Sequence, residues 1–344
     1  MKKLLFVGLT VLLATISSSV KSQSVSGAGA TFPQPFYNTA FMKYEQNTHV
    51  KVTYGGIGSG GGIRSLKDGV VDFGASDAFL SDAEMKEMPA PIVHIPTCSG
   101  SVVVAFNLPG INQIKLTPTA LADIFMGKIH NWNDEILKKL NPNVRFPNQE
   151  IIVVHRSDGS GTTNMFTDYL AKVNTEWKNK IGSGKTVNFP VGLAAKGNPG
   201  VAGMVKETVG TIGYVGSEYA FAGKIASALI QNKSGNFIKA SIASTSAAGK
   251  GSIPEDTRVM LTNSSAPDAY PIAGFTWLII YKDQHYGSRT YAQAQQTLKL
   301  LNWMISPKAQ IYATKTNYAP LPAAVVNKAK AILKTVTYGG KKLL

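Results

Sequence analysis

The stretch EIIVVHRSDGSGTT, residues 150–163, joins an apolar run to a helix-like segment through a turn rich in glycine and hydroxyl residues. The apolar run predicts a buried strand, and the apolar spacing over residues 165–173 predicts one face of a helix. A turn between a strand and a helix directs several backbone N–H groups and Oγ atoms to one point, which suits an anion. Arg156 adds a planar, permanently charged fork that matches an oxyanion. An ordinary capped helix is the alternative, and this stretch alone leaves both open.

A second cluster, GAGATFP at residues 27–33, precedes an apolar stripe at helical spacing over residues 36–44. This pattern predicts a helix with Thr31 at its N-cap. The Thr31 hydroxyl and the first N–H groups of that helix would then point along the helix axis toward a ligand.

A third cluster, YGGIGSGGGI at residues 54–63, follows the strand-like HVKVTY and precedes the helix-like IRSLKDG. A flexible loop is the alternative. Residues 56–61 also match the G-x-G-x-x-G pattern of dinucleotide-binding folds, with acidic Asp77 about twenty residues further on. That match is weak in a chain with 33 glycines. No G-x-x-x-x-G-K-[ST] occurs and no G-x-S-x-G surrounds Ser160, which argues against nucleotide hydrolysis and α/β-hydrolase chemistry.

Length and composition predict two large cores. With 344 residues, 44% of them hydrophobic and 16% charged, the chain exceeds the usual size of one compact domain. Short β-prone runs alternate with helical patterns, which indicates an α/β fold with mostly parallel strands. These runs are VKVTY (50–54), VVDFGA (70–75), VVVAFN (102–107), EIIVV (150–154), TIGYV (211–215) and TWLIIY (276–281). Residues 243–256, ASTSAAGKGSIPED, are predicted to be a mobile surface loop.

The N-terminus has the charged, apolar and small-residue regions of a secretory signal peptide over residues 1–22. Cleavage is expected near Ser22, and an uncleaved anchor is the alternative. No cysteine follows the apolar run, so lipid attachment is not expected and the mature chain should be soluble.

The formal net charge of +15 falls to +12 when Lys2, Lys3 and Lys21 leave with the signal peptide. The lysines are scattered and do not alternate with aromatic residues as they do in proteins that follow a nucleic-acid backbone. We therefore expect no nucleic-acid partner, and we attribute the charge to solubility and mild steering of anions.

Cys98 is the only cysteine, which excludes an internal disulfide. It lies beside a β-prone run, so a buried structural thiol is favoured over a nucleophile. Five histidines, at positions 49, 94, 130, 155 and 285, lack metal-ligand spacing. We expect neither a metal nor a cofactor.

Six motifs in this order, GAGATFPQPFY, YGGIGSGGG, VDFGASDAFLSD, HRSDGSGTT, TEWKNKIGSGKTVNFPVG and TIGYVGSEYA, resemble the periplasmic phosphate-binding proteins of bacterial high-affinity phosphate ABC transporters. The resemblance covers essentially the whole mature chain. It implies an α/β, two-lobed periplasmic binding protein fold of type II, with two hinge crossings and phosphate in the cleft between the lobes. One lobe would contain residues 23–105 and 277–344, and the other residues 106–276.

The resemblance also implies a phosphate-binding set. Its members are Thr31, the N–H of Phe32, Ser59, Asp77, Arg156, Ser160, Gly161 and Thr162. Asp77 would accept a proton from the bound phosphate, and Asp158 would hold Arg156 in place. From the residues alone, a helix-capping role of Asp77 is the favoured alternative. The family often has a second serine after the position of Ser59, where this chain has Gly60.

The implied function is transport: the lobes close over inorganic phosphate, and a membrane permease with its ATPase in the inner membrane recognises the closed protein, a monomer in the periplasm. No catalytic residue is assigned. The competing hypothesis is a secreted phosphomonoesterase on a related scaffold, with Ser160 or Thr162 as the nucleophile. An additional role as a surface adhesin stays open.

Overall fold

The computed structural model describes residues 24–343. The expected signal peptide, residues 1–22, lies outside the described residues. The strands are β1 Ser24–Gly29, β2 Lys51–Gly56, β3 Phe73–Ser76, β4 Ile92–Phe106, β5 Lys115–Leu116, β6 Ile152–Arg156, β7 Leu193–Ala195, β8 Thr211–Gly216, β9 Ala226–Ser227, β10 Leu229–Gln231, β11 Phe237–Ile238, β12 Ala273–Tyr281, β13 Thr337–Tyr338 and β14 Lys341–Lys342. Each of the six predicted β-prone runs overlaps one of these strands.

Helices separate most of these strands, as the α/β prediction requires. They are α1 Gln34–Thr48, α2 Ser59–Lys67, α3 Asp82–Lys86, α4 Pro118–Phe125, α5 Glu135–Leu140, α6 Gly161–Val173, α7 Thr175–Lys180, α8 Gly197–Glu207, α9 Ser217–Gly223, α10 Ile242–Ala248, α11 Tyr291–Met304, α12 Pro307–Lys315 and α13 Ala323–Leu333. Among residues 24–343, no helix is long and apolar enough to span a membrane.

The main sheet has the strand order β2-β1-β3-β12-β4-β8-β6-β7, and β9 pairs with β4. Its two ends are parallel: β1 pairs with β2 and β3, and β6 pairs with β7 and β8. Its centre is antiparallel, because β12 runs against β3 and β4, and β4 runs against β8. The prediction of mostly parallel strands is therefore right for the ends of the sheet and wrong for its centre.

Strand β4 connects the two halves of the molecule. Over residues 92–101 it pairs with β12, and over residues 102–106 it pairs with β8. All nine residues of β12 are buried, and β4 is buried everywhere except at Val93. A strand enclosed on both faces needs a continuous apolar run, which explains the sequences SVVVAF and FTWLIIY.

Two local predictions and one alternative need correction. Helix α1 begins at Gln34 with Pro33 at its N-cap, so Thr31 is not the capping residue. Helix α2 begins at Ser59, so residues 60–62 lie in its first turn, and the flexible-loop alternative for the third cluster is wrong. Residues 243–248 of the predicted mobile loop belong to α10, which begins with a Ser241–Ser244 capping box.

Cys98 lies in β4 and is fully buried, and burial raises the pKa of its thiol well above the usual value. The predicted burial of this residue is confirmed. A buried neutral thiol is a poor nucleophile, which agrees with a structural role.

Candidate anion-binding site

The three sequence clusters meet where the two halves of the sheet join. The N–H of Gly60 donates to the carbonyl of Gly159 at 2.8 Å. The N–H of Gly161 donates to Oγ of Ser59 at 3.0 Å. The first turns of α2 and α6, about a hundred residues apart in sequence, therefore point at each other. Both helices present the positive ends of their dipoles to the space between them.

The absence of a side chain at Gly161 makes this approach possible. A Cβ atom at this position would lie 2.6 Å from Cβ of Asp77 and 2.6 Å from Oγ of Ser59. Real Cβ contacts do not come so close, so a larger residue would push the two halves apart. This close approach explains why the last residue of the turn SDGSG, Gly161, is a glycine.

Arg156 ends β6, and Asp158 fixes its guanidinium. Its Nε donates to Oδ1 of Asp158 at 2.7 Å, its Nη2 donates to Oδ2 at 2.5 Å, and its Nη1 donates to Oγ1 of Thr162 at 3.4 Å. Burial opposes ionisation of Asp158, but the bonds from Arg156 and from the N–H of Gly197 hold the pKa of this carboxyl below its usual value. The two bonds to the Asp158 carboxylate fix the orientation of the buried Arg156 guanidinium.

Asp77 follows β3 and is almost fully buried. Its Oδ1 accepts a hydrogen bond from Oγ1 of Thr276 at 2.8 Å, and its Oδ2 lies 3.5 Å from Oγ of Ser59. Burial raises the pKa of Asp77 to about 7, although the bonds from Thr276 and Ser59 and the charge of Arg156 oppose this shift. Helix α3 is capped by Ser81 in a capping box with Glu84, so the capping alternative for Asp77 is wrong.

Thr31 and Phe32 lie between β1 and α1. Oγ1 of Thr31 accepts hydrogen bonds from the backbone N–H and from Nδ2 of Asn198, both at 3.0 Å. The hydroxyl of Tyr318 donates to the carbonyl of Phe32. Within residues 24–343, the N–H of Phe32 donates to no other residue. Asn198 and Tyr318 therefore fix this turn, while the N–H of Phe32 remains available to a ligand.

Ser160 and Thr162 form the start of α6. Ser160 is the N-cap, and its Oγ accepts from the N–H of Thr163 at 3.0 Å. Both side chains are fully buried. The structure thus brings together all eight predicted phosphate-binding residues and Asp158. Ser59 lies against the carboxyl of Asp77, and Arg156 lies close enough to lower the pKa of this carboxyl, so donors and one acceptor share the site. This arrangement suits a small oxyanion that carries a proton.

Sequence reasoning missed Asn198, which is fully buried in the first turn of α8. It contacts Thr31 from one half and Thr162 from the other, with Nδ2 at 3.0 and 3.1 Å from their Oγ1 atoms. The segment KGNPG, residues 196–200, could have predicted that Asn198 lies at the start of a helix, because a proline in the first turn is typical of a helix start. Its contact with Thr31, however, depends on tertiary structure.

Glu218, in the first turn of α9, is a second buried carboxyl near the site. Its Oε1 has no hydrogen-bond partner among residues 24–343, and Oγ of Ser217 lies 3.5 Å from Oε2. Burial, together with the charge of Asp77, raises the pKa of Glu218 to about 8, against bonds from its own backbone, Tyr318 and Ser217. This residue is therefore protonated over much of the neutral range.

Comparisons with known proteins identify relatives of this chain. A family model described as the PBP superfamily domain matches residues 15–308. Phosphate-binding protein PstS of Pasteurella multocida is 39% identical over 334 residues, which cover 95% of this chain and 94% of that protein. The PstS protein of Methanocaldococcus jannaschii is 37% identical and covers 86% of this chain and 82% of its own length.

The chain belongs to the PstS family of phosphate-binding proteins. The predicted family is therefore confirmed.

Solved structures show the same fold at lower identity. A high affinity periplasmic phosphate-binding protein, PfluDING, bound with phosphate, has a TM-score of 0.72 at 23% identity, covering 92% of this chain and 97% of its own. A phosphate-binding protein from Stenotrophomonas maltophilia has a TM-score of 0.68 at 20% identity, covering 90% and 93%. The predicted α/β, two-lobed type II periplasmic binding protein fold is confirmed.

Proposed function

We propose that this protein binds one inorganic phosphate ion between its two lobes and delivers it to a membrane ABC transporter. One observation carries the proposal: Ser59 from one half of the sheet meets Gly161 and Arg156 from the other half beside the buried carboxyl of Asp77. The names of the PstS relatives support the same ligand.

The chemistry of the site favours phosphate among the small oxyanions. Hydroxyls, backbone N–H groups and the fork of Arg156 can donate to any tetrahedral oxyanion. Asp77, when ionised, can only accept. Phosphate retains a proton at neutral pH and can donate it to Asp77, whereas sulfate has no proton to give and its oxygen would face the carboxylate with mutual repulsion.

We assign the ligand contacts to Thr31, the N–H of Phe32, Ser59, Asp77, Arg156, Ser160, Gly161 and Thr162, with Asp158 orienting Arg156. The N–H of Gly161 already donates to Ser59 at 3.0 Å. A direct bond from Gly161 to phosphate therefore requires this N–H to be shared or redirected.

Two lobes, residues 23–105 with 277–344 and residues 106–276, are proposed to close as rigid bodies over the ion. The change of pairing partner along β4 supports a crossing near residues 101–106, and the start of β12 supports the second crossing. Contacts such as Gly60 to Gly159 and Asn198 to Thr31 hold the closed form. Ligand binding would favour this form because only there is the donor set complete.

The closed protein would act as a monomer in the periplasm and dock on an inner-membrane permease, whose ATPase powers release. Relatives named for phosphate binding and the signal-like N-terminus support this location and these partners.

The phosphomonoesterase alternative lacks a geometric basis. Oγ of Ser160 caps α6, and Oγ1 of Thr162 accepts from Asn198 and Arg156. A hydroxyl nucleophile needs an adjacent base, and within residues 24–343 neither hydroxyl has a side-chain acceptor in hydrogen-bond contact. The burial of the site residues also suits a bare ion better than an ester with an organic group.

A paired experiment tests this function. Small-angle scattering during a phosphate titration should show a smaller radius of gyration once the ion is bound. A turnover assay with p-nitrophenyl phosphate should show no hydrolysis. Hydrolysis that disappears in the Ser160→Ala variant would establish the enzyme instead, and an unchanged radius with verified binding would contradict lobe closure.

A further inference from the structure

We propose that Asn198 is a positioning residue that makes the hydroxyls of Thr31 and Thr162 obligate donors to the bound anion. The proposal rests on the proposed phosphate-binding function and deepens it. According to it, Asn198, a residue outside the predicted binding set, determines that these two hydroxyls donate to the ligand and do not accept from it.

The orientation of the Asn198 amide follows from its third partner. The N–H of Gly216 donates to Oδ1 of Asn198 at 2.9 Å. A backbone N–H can only donate, so the atom that faces it must be the amide oxygen. The amide nitrogen, with its two hydrogens, therefore faces the two threonines.

Both lone pairs of the Thr31 hydroxyl are occupied by Asn198. The backbone N–H of Asn198 and its Nδ2 each donate to Oγ1 of Thr31 at 3.0 Å. A hydroxyl has two acceptor lone pairs and one proton. Only the proton of Thr31 is left for a ligand.

The Thr162 hydroxyl is saturated in the same way. Nδ2 of Asn198 donates to Oγ1 of Thr162 at 3.1 Å, and Nη1 of Arg156 donates to the same atom at 3.4 Å. Again the hydroxyl proton is the part without a partner. Asn198 thus supplies three of the four bonds that saturate these two hydroxyls, two from its side-chain amide and one from its backbone N–H.

Ser59 shows the same arrangement built from backbone groups. Its Oγ accepts from the N–H of Asp77 at 3.2 Å and from the N–H of Gly161 at 3.0 Å. Its proton is then directed toward the carboxylate of Asp77 or a ligand. Three hydroxyls of the site are therefore saturated as acceptors, and the two threonines depend on Asn198.

This saturation is complete only when the two halves are together. Thr31 follows β1 in one half, whereas Asn198, Thr162 and Gly216 belong to the other. In an open molecule, water could donate to Thr31, and its hydroxyl could rotate freely. Closure would fix the proton direction and thereby strengthen the contact with an acceptor ion.

A double-mutant cycle on phosphate affinity tests the proposal, because a purely structural role of Asn198 predicts additive losses. The variants are Asn198→Ala, Thr162→Val and the pair, measured by titration calorimetry with inorganic phosphate. We expect Thr162→Val to weaken binding about tenfold or more in the wild type and less than about threefold in the Asn198→Ala background. The exposed Asn327→Ala variant serves as a control and should leave the Thr162→Val effect unchanged.

Asn198→Asp provides a second arm if Asn198→Ala does not fold. Its carboxylate oxygen would accept from the threonine hydroxyls and turn their protons away from the anion, so the Thr162→Val effect should again shrink below about threefold. Equal Thr162→Val effects with and without Asn198 would overturn the role of Asn198 while leaving phosphate binding intact. A wild-type protein that binds no phosphate would overturn the proposed function, and this proposal with it.

Discussion

Oγ1 of Thr276 donates a 2.8 Å hydrogen bond to Oδ1 of Asp77, joining β12 to the end of β3 across 199 positions of sequence. This bond occupies one carboxylate oxygen and leaves Oδ2 directed toward Ser59. Asp77 is therefore held in the site by a residue of β12. Because Oδ1 already accepts from Thr276, Oδ2 is the oxygen of Asp77 that can accept a hydrogen bond from a ligand.

At pH 8, above the pKa of about 7 of Asp77, replacement of this residue by asparagine should narrow the ratio of phosphate to sulfate affinity by a factor of ten or more, because the amide can donate to an oxygen where the ionised carboxylate can only accept. Competition calorimetry with both anions measures the ratio. Asp268→Asn is the matched control, since Asp268 lies in an exposed ion pair with Lys250 and should have no effect. An unchanged ratio in a folded Asp77→Asn protein would show that Asp77 is not the discriminating group.

Removal of the Arg156 guanidinium should lower phosphate affinity roughly ten- to a hundredfold, since a charge-assisted hydrogen bond contributes on the order of 1.5–3 kcal/mol. The comparison is Arg156→Ala against Lys250→Ala, an exposed lysine far from these contacts. Titration calorimetry gives both constants. A loss within twofold for Arg156→Ala would assign the arginine to structure alone.

A single methyl group at position 161 should weaken phosphate binding strongly while leaving the fold intact. In the closed form, this Cβ would collide with Asp77 and Ser59, which lie in the opposite half. Gly203→Ala is the control, because nothing lies within 4 Å of a Cβ at that helical position. It should keep the affinity and stabilise the protein by about 0.5–1 kcal/mol. Equal affinities of the Gly161→Ala and Gly203→Ala proteins would contradict the close approach of the halves.

Glu218 predicts a pH dependence of stability. Its pKa is raised from 4.5 to about 8 in the folded protein, mainly by burial. Between these values the folded state binds more protons than the unfolded state, so stability falls as the pH rises from about 4.5 to 8. The Glu218→Gln variant has no carboxyl at this position and should not lose stability in this way as the pH rises. It should gain at least about 2 kcal/mol, or several degrees in Tm, over the wild type above pH 8.

The advantage of Glu218→Gln should disappear near pH 4.5, where the wild-type carboxyl is protonated in both states. Thermal unfolding from pH 4.5 to pH 9 measures it, with the exposed Glu45→Gln variant as the control. If the difference in Tm between Glu218→Gln and the wild type stays constant over this range, burial does not raise the pKa of Glu218.

Much of the site could be predicted from sequence because its chemistry is local. The turn at residues 157–161 and the cap at Ser160 depend on neighbours within a few positions, and the pairing of Arg156 with Asp158 spans two residues. The apolar runs likewise indicate strands by their own composition. The order of the strands and the antiparallel direction of the central ones are set by contacts far apart in sequence, so these runs could not predict them.

The errors share one cause, which is tertiary contact. Thr31 looks like a cap, but the two prolines after it delay the helix, and its hydroxyl binds Asn198 instead. Glycines at 60–62 lower helix propensity, yet Gly62 must lie in a helix close to Gly29, where a Cβ would be 2.4 Å from the Cα of Gly29. Asn198 itself carries no local sign of its partners.

A closed cage of donors around one ionised acceptor should select a protonated oxyanion. The decisive measurement is titration calorimetry of the mature protein with phosphate and with sulfate at pH 8, above the pKa of about 7 of Asp77. We expect one phosphate per chain, bound at least a hundredfold more tightly than sulfate, a difference of about 2.7 kcal/mol. Equal affinities for the two anions, or no phosphate binding at all, would contradict it.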